Sequence, residues 1–333
     1  MRRALVLLAA VIALTLAWLL RPPGPVAAPA YRPTADYDEA VGRLFELLER
    51  DSLALHEGCG TTALLTGARA PRAFVLLHGI TNCPLQFAEL AESLRAGGDN
   101  VLVPRVDHHG LADRMTTNLA RLRAEEVVAL ASECAGIAAG LGDTVVVAGL
   151  STTGVVAAWA VANLEGVDRA VVIAPAFAPP WKPAWIAGPL TRLALRLPNR
   201  FVWWDDRKRG DLPGPKQCYP RFSTRAMGEF YRLGEAVTRE LARHPPRTPD
   251  VAVVTTLADE AVDNGRARTF AASCAAPGTR VREYAFPAEA KVVHDMIDPV
   301  QVGARTDVVY PVLLALLRGG ALPAPAAGTA AAR

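Results

Sequence analysis

The chain has 333 residues, 51% of them apolar, and a net charge of only +3. That supply of apolar residues supports a sizeable buried core, and basic residues scattered among acids leave no footprint for a nucleic-acid partner. Lysine is confined to Lys182, Lys208, Lys216 and Lys291 while arginine is abundant, a bias of composition that points to no particular activity.

At the N-terminus Arg2 and Arg3 precede an uncharged apolar run from Ala4 to Leu20, which Arg21-Pro22-Pro23-Gly24-Pro25 terminates. A basic start followed by such a run is the pattern of an export signal or a signal anchor, and Ala28-Pro29-Ala30 offers a cleavage-like triplet. The sequence therefore predicts residues 1–35 as signal peptide or signal anchor plus linker, with the remaining domain outside the cytoplasm. If the segment is not cleaved, it supplies a membrane contact. The five cysteines are Cys59, Cys83, Cys134, Cys218 and Cys274. An odd count leaves at least one unpaired, and no C-x-x-C spacing suggests a metal. Cys59 and Cys83 flank the first strands and are candidates for a disulfide, although spacing does not fix connectivity.

Beyond the linker, Asp38 to Arg50 carries Val41, Leu44, Phe45, Leu47 and Leu48 near helical spacing and predicts an amphipathic helix. A hairpin-like stretch, Thr61 to Thr66, is followed by a turn at Gly67 to Pro71 and the apolar strand Ala73 to Leu77. From there strands and helices alternate. Strands are predicted at Asn100 to Pro104, Thr144 to Ala148, Ala170 to Ile173, Val251 to Thr256 and Val281 to Phe286. Helices are predicted near Pro84 to Arg95, Asn118 to Ala139, Thr152 to Asn163 and Gln301 to Leu317. Buried apolar strands separated by helices imply a mostly parallel sheet covered on both faces, an α/β domain over 36–318. One segment interrupts the alternation. From Pro175 to about His244 there is no convincing strand, but there are many prolines, four tryptophans (Trp181, Trp185, Trp203, Trp204) and a charged cluster, Asp205 to Arg209. A structureless loop of that length is improbable, so a helical cap insertion over about 176–245 is expected. The Ala/Pro-rich tail, 319–333, is expected to be disordered.

The strand ending at Ala148 runs into Gly149-Leu150-Ser151-Thr152-Thr153-Gly154 and then an apolar helix. A serine on a sharp strand-to-helix turn projects its hydroxyl above the sheet, and the helix N-terminus favours developing negative charge. The alternative is a serine that merely caps the helix. The spacing departs from G-x-S-x-G: Thr153 stands at the second glycine position and glycine arrives one residue late, at Gly154. A β-branched residue there needs space, which predicts a less strained or slightly re-aimed turn. Upstream, the strand to Leu77 ends in His78-Gly79-Ile80-Thr81-Asn82. Gly79 lets the backbone approach closely, so the N–H of Ile80 would join that of Thr152 in cradling an oxyanion. His78 at the strand end is expected to hold the loop by hydrogen bonding. Downstream, one strand leads to Asp259-Glu260-Ala261-Val262-Asp263, and the last leads to His294. Asp259 is favoured as the acid because Asp259-x-x-Val262 resembles the acid loop of the family named below, with Glu260 and Asp263 as rivals; it would orient His294, which would take the Ser151 proton.

In this order, Ser then Asp then His, each after a separate strand, the sequence resembles the α/β-hydrolase superfamily, in particular its monoglyceride-lipase-like and serine-aminopeptidase-like esterase branch. The resemblance covers Ala73 to about Leu317, apart from the insertion. It rests on His78-Gly79, Gly149 to Ser151, Asp259-x-x-Val262 and His294. It implies an eight-stranded sheet, acyl-enzyme chemistry on Ser151 and no cofactor, while Thr153 puts catalytic rate in doubt. The loop Asp107-His108-His109-Gly110 is similar to the G-H-G loop of monoglyceride-lipase-like enzymes, which places His109 at the pocket rim. His56 and His244 lack context. Cap aromatics are more often packing than pocket, yet Trp181, Trp185 and Trp203 are candidates for lining it. The leading expectation is a carboxylesterase or lipase-like enzyme acting on a small-molecule ester, lipophilic esters included. A peptidase or amidase with the same triad and a non-catalytic hydrolase-like binding protein are the alternatives. A serine at the turn excludes the dehalogenase and epoxide-hydrolase readings, which need a carboxylate nucleophile. No HExxH or His/Asp cluster at ligand spacing supports metal catalysis.

Overall fold

A computed structural model describes residues 2–27, 29–51, 54–180, 184–212 and 214–322. Its strands are β1 (Thr62–Leu64), β2 (Ala70–Leu77), β3 (Asn100–Val103), β4 (Gly142–Leu150), β5 (Arg169–Ile173), β6 (Phe201–Trp203), β7 (Arg221–Ser223), β8 (Asp250–Thr256) and β9 (Arg280–Phe286). Seven of them form one sheet in the order β1-β3-β2-β4-β5-β8-β9, while β6 and β7 form a separate antiparallel ribbon. Only β1 runs against its neighbour; every other pairing in the large sheet is parallel. The described sheet thus has seven strands where eight were implied. The stretch around Thr62 pairs with β3, not with β2 as a hairpin would. The physical reason is that both edges of β2 are already taken, by β3 and β4.

The helices are α1 (Arg2–Leu20), α2 (Tyr37–Glu49), α3 (Ala88–Ala96), α4 (Ala124–Leu141), α5 (Thr152–Asn163), α6 (Ala184–Arg196), α7 (Thr224–Leu241), α8 (Asn264–Ser273) and α9 (Thr306–Arg318). Side chains alternate across the strands, so each central strand feeds two cores. Val75, Leu77, Val145 and Val147 pack under α2, α4, α5, α7 and α8. Phe74, Leu76, Val146 and Leu150 pack under α3 and α9. Burial on both faces explains why β2, β4, β5 and β8 read as unbroken apolar runs.

Register aligns the ends of these strands. Leu77 stands opposite Gly149, Leu150 opposite Ile173 and Thr256 opposite Phe286. All the loops carrying predicted site residues therefore leave the sheet at its C-terminal edge.

The segment between β5 and β8 differs from its expected form. It contains the β6–β7 ribbon, although no strand was anticipated there, because Phe201 to Trp203 is too short to show a period. Its last helix, α7, is not part of a cap. Ala226, Phe230, Leu233 and Val237 recur at helical spacing and lie in the core against α5. The insertion is therefore shorter than 176–245. Trp181 lies outside the described residues, as does the tail from residue 323.

At the N-terminus α1 carries exposed apolar side chains, among them Leu5, Val6, Leu7 and Leu14. Nineteen residues at 1.5 Å each span about 28 Å, just under a bilayer's hydrocarbon thickness. Among the described residues no helix is long and apolar enough to cross a membrane. The helix instead leans on α6, where Arg196 donates to the Leu19 carbonyl (2.8 Å) and stacks over Trp18. The linker is tied down at Thr34, whose N–H and hydroxyl both donate to the Gly136 carbonyl (2.9 and 3.0 Å).

Cys59 and Cys83 form a disulfide, closing a sequence separation of 24, while Cys134, Cys218 and Cys274 are free and buried. Closing a loop of that size restricts the unfolded chain by about 3 kcal/mol. Cys59→Ser and Cys83→Ser variants should each lose about that much unfolding free energy in a urea titration, and dithiothreitol should bring the wild type to the same midpoint.

Candidate active site

At the end of β4 the backbone turns abruptly. Ser151 has φ 62° and ψ −117°, a region that residues other than glycine rarely occupy. Two backbone hydrogen bonds hold it: the Ser151 N–H donates to the Ile173 carbonyl and the Ala176 N–H to the Ser151 carbonyl, both at 2.9 Å. Ser151 stands at the N-cap position of α5, yet its side chain makes no capping hydrogen bond. The capping alternative is therefore excluded. Among the described residues the Ser151 hydroxyl has no hydrogen-bond partner at all, His294 included.

The turn is fully strained, contrary to the expectation raised by Thr153. A Cβ on Gly149 would lie 2.1 Å from the Thr153 carbonyl oxygen, so glycine is required there. A Cβ on Gly154 would lie 2.9 Å from the Ile173 carbonyl, where α5 passes the end of β5. Thr153 fits between them because its hydroxyl finds buried partners. It donates to the Leu77 carbonyl (2.6 Å) and accepts from the Leu150 N–H (3.2 Å). The β-branched side chain thereby ties the ends of β2 and β4 together at the turn.

His294 and Asp259 meet as predicted. Nδ1 of His294 lies 2.8 Å from Asp259 Oδ2, and the Asp259 side chain has no solvent exposure. The other carboxylate oxygen accepts from the Ala261 N–H (2.8 Å) and the Val262 N–H (3.2 Å). With Nδ1–H donated to the carboxylate, Nε2 of a neutral ring is left as the base. Burial pulls the imidazole pKa down, but the hydrogen bond and charge of Asp259, helped by Asp295, outweigh it and hold His294 above its ordinary value. Asp263 is occupied elsewhere: it caps α8 by accepting from Gly265 N–H at 2.8 Å. Glu260 is exposed.

Gly79 packs against the turn, as its sequence position required; a Cβ there would sit 3.7 Å from that of Ser151. The Ile80 N–H, however, does not point into an empty cradle. It donates to the Thr152 hydroxyl at 3.0 Å. His78 plays the expected structural part. Its Nε2 accepts from the Val106 N–H (3.1 Å) and its Nδ1 faces the Gly79 carbonyl (3.1 Å), which assigns the neutral tautomer. Burial, reinforced by His109 and Arg105, keeps His78 well below the usual histidine range. His109 is not at an open rim. It is 1% exposed, 5.2 Å from the His78 ring and stacked at 6.5 Å on Tyr219, and burial lowers its pKa to about 4.

Two of the cap candidates lie among the described residues. Trp185 borders a groove of about 830 Å³ between α6, α7 and α8 that neither Ser151 nor His294 lines. Trp203 lies under Arg209. The tryptophan that does reach the site is Trp204, which was not singled out. Its indole N–H donates to the Thr81 hydroxyl (3.0 Å) and its ring packs on Phe222 at 4.4 Å. Thr81 itself has φ 68°, and its carbonyl accepts from the Tyr219 N–H (2.8 Å).

Also unforeseen are amides and acids that connect the loops. Gln86 accepts from the Gly79 N–H (2.8 Å) and donates to Asp295 (3.1 Å), the residue after His294. Asn82 donates to the buried Asp298 (3.1 Å). Burial raises the Asp298 pKa against the pull of Asn82. Polar residues just after His78-Gly79 and just after His294 were the available signal. Among the described residues no cluster of three His, Cys, Asp or Glu could hold a metal ion.

A model described as the alpha/beta hydrolase family matches residues 74–328. The chain belongs to that family. No curated protein sequence matches it significantly. Solved structures share the fold at low identity. A metagenome-derived lipolytic enzyme is 18% identical with a TM-score of 0.56, over 80% of this chain and 99% of that one. The monoacylglycerol lipase of Paleococcus ferrophilus is 15% identical with a TM-score of 0.59, over 78% and 98%. The monoglyceride lipase of Saccharomyces cerevisiae is 14% identical with a TM-score of 0.53, over 78% and 91%.

The pH dependence follows from the Asp259–His294 pair. If His294 is the base, it must be neutral to act, and with its pKa raised kcat/KM should climb through a limb lying above 6.5. Asp259→Asn should move that limb to lower pH and cut kcat roughly 10³–10⁴-fold, as read from pH–rate profiles of both proteins.

Proposed function

We propose that this hydrolase cleaves carboxylic esters through an acyl-enzyme on Ser151. The observation that carries the reading is the serine held at φ 62° with an unengaged hydroxyl, at the same sheet edge as a histidine whose Nδ1 is 2.8 Å from a buried aspartate. In the first step Ser151 Oγ attacks the ester carbonyl carbon while His294 Nε2 takes its proton. The carbonyl π pair moves to oxygen as an oxyanion beside the free N–H groups of the α5 N-terminus. Collapse expels the alkoxide, which leaves with the proton from His294. Water, deprotonated by the same nitrogen, then releases the acid and restores Ser151. The step requires Ser151 Oγ and His294 Nε2 to come within hydrogen-bond distance in the substrate complex. The hydrogen bonds that seat Thr153 in the strained turn support the catalytic reading over a non-catalytic one.

A lipophilic substrate is supported by an exposed apolar group at a loop of the site: Trp204, 50% exposed and hydrogen-bonded to Thr81. An export route is supported by the disulfide, since such bonds persist in oxidising compartments, and by the basic and apolar character of α1. If retained, α1 would hold the domain against a lipid surface through its exposed Leu and Val side chains.

The test combines a fluorophosphonate probe with a panel of p-nitrophenyl esters and aminoacyl anilides. Expected are labelling of the wild type, none of Ser151→Ala, and turnover of the esters in preference to the anilides. Labelling that persists in Ser151→Ala would remove Ser151 as the nucleophile.

A further inference from the structure

The Ile80 N–H, expected to be half of the oxyanion cradle, is already engaged: it donates to Thr152 Oγ1 at 3.0 Å. Thr152 is fully buried and is the first residue of α5. Its own N–H belongs to the first turn, where no carbonyl of the helix can accept it. Its hydroxyl accepts from Ile80, and among the described residues nothing accepts the hydroxyl proton in return. A hydroxyl carries one donor besides its lone pairs. Here one lone pair is fixed by an N–H, which leaves the hydroxyl proton without an acceptor on the residue that follows Ser151. Burying a hydroxyl with its donor unused costs about 1–3 kcal/mol, a loss that a bound acceptor would offset.

We propose that the Thr152 hydroxyl is the second oxyanion donor of this site, polarised by the Ile80 N–H that it accepts. The inference rests on the acyl-enzyme reading of Ser151. The developing oxyanion then receives the backbone N–H and the hydroxyl proton of the same residue, while Ile80 acts one bond further back. The proton is shared, not transferred, so no covalent bond changes at Thr152. Hydrogen bonds in series strengthen one another, and a donor aimed at an ionised oxygen is stronger than one aimed at a neutral oxygen. The hydroxyl therefore contributes more in the tetrahedral intermediate than in the ground state, which places its effect on kcat more than on KM.

Thr152→Val keeps the shape and removes the hydroxyl; Thr152→Ser keeps the hydroxyl. Loss of one oxyanion donor elsewhere lowers kcat about 10²–10³-fold. The expectation is a kcat loss of about tenfold or more in Thr152→Val with KM little changed, and near wild-type kcat in Thr152→Ser. A smaller loss, no loss or a gain in Thr152→Val overturns the proposal, because the freed Ile80 N–H would then be the real donor. A structure of the wild type with a phosphonate on Ser151 decides independently of whether the variants fold. Thr152 Oγ1 should lie within hydrogen-bond distance of the phosphonyl oxygen and keep its contact with the Ile80 N–H. Direct contact of that oxygen with the Ile80 N–H, with Oγ1 rotated away, overturns it. A wild type whose Ser151 is not labelled brings down both readings; labelling with Oγ1 rotated away brings down only this one.

Discussion

The structure depends on one strained residue. A left-handed serine costs about 1–3 kcal/mol and persists only where its surroundings over-determine it. Here the determination is visible in four hydrogen bonds around the turn. Ser151 is fixed to Ile173 and Ala176 through its backbone, and Thr153 binds the carbonyl of Leu77 and the N–H of Leu150. The strands that supply those partners are buried on both faces, so none of them can relax toward solvent. The core thus does more than stabilise the domain: it holds a hydroxyl without a hydrogen-bond partner where a helix begins.

Around that turn the loops restrain one another. The segment Gly79 to Cys83 is held by Gln86 at its first N–H, by Tyr219 and Trp204 at Thr81, by Asp298 at Asn82 and by the disulfide at Cys83. Gln86 and Asn82 also reach the chain that carries His294, through Asp295 and Asp298. A displacement of the histidine loop is therefore felt at the cradle. Preorganisation of this kind lets dipoles act on a developing charge without reorganising first. The insertion contributes little to the triad itself. Its links to the site include Tyr219 and Trp204, both at Thr81, while Trp185 faces a groove on another flank.

Much of the fold was legible because the physics was local or periodic. Strands buried on two faces read as apolar runs, helix α5 was bounded by its own turn signals, and the order of Ser151, Asp259 and His294 follows from one strand after another meeting the same sheet edge. Asp259 was distinguishable from Asp263 only by analogy; the coordinates separate them because one is sealed against His294 and the other caps α8. The β6–β7 ribbon and the partner of β1 were not legible, since strands of three residues carry no period and edge pairing depends on which edges remain open.

By itself the sequence determined the layered α/β architecture, the candidate serine, acids and histidine at one edge of the sheet, and the glycine at 149, because each follows from residue type at a position along one strand or turn. Tertiary structure alone decided that Thr153 belongs in the turn, that His109 is buried, that Trp204 is the tryptophan touching the site, and that Thr152 takes the Ile80 N–H. Those outcomes are hydrogen bonds between segments far apart in the chain. Whether a polar side chain finds its partner there depends on where the other segment lies, which no local pattern records.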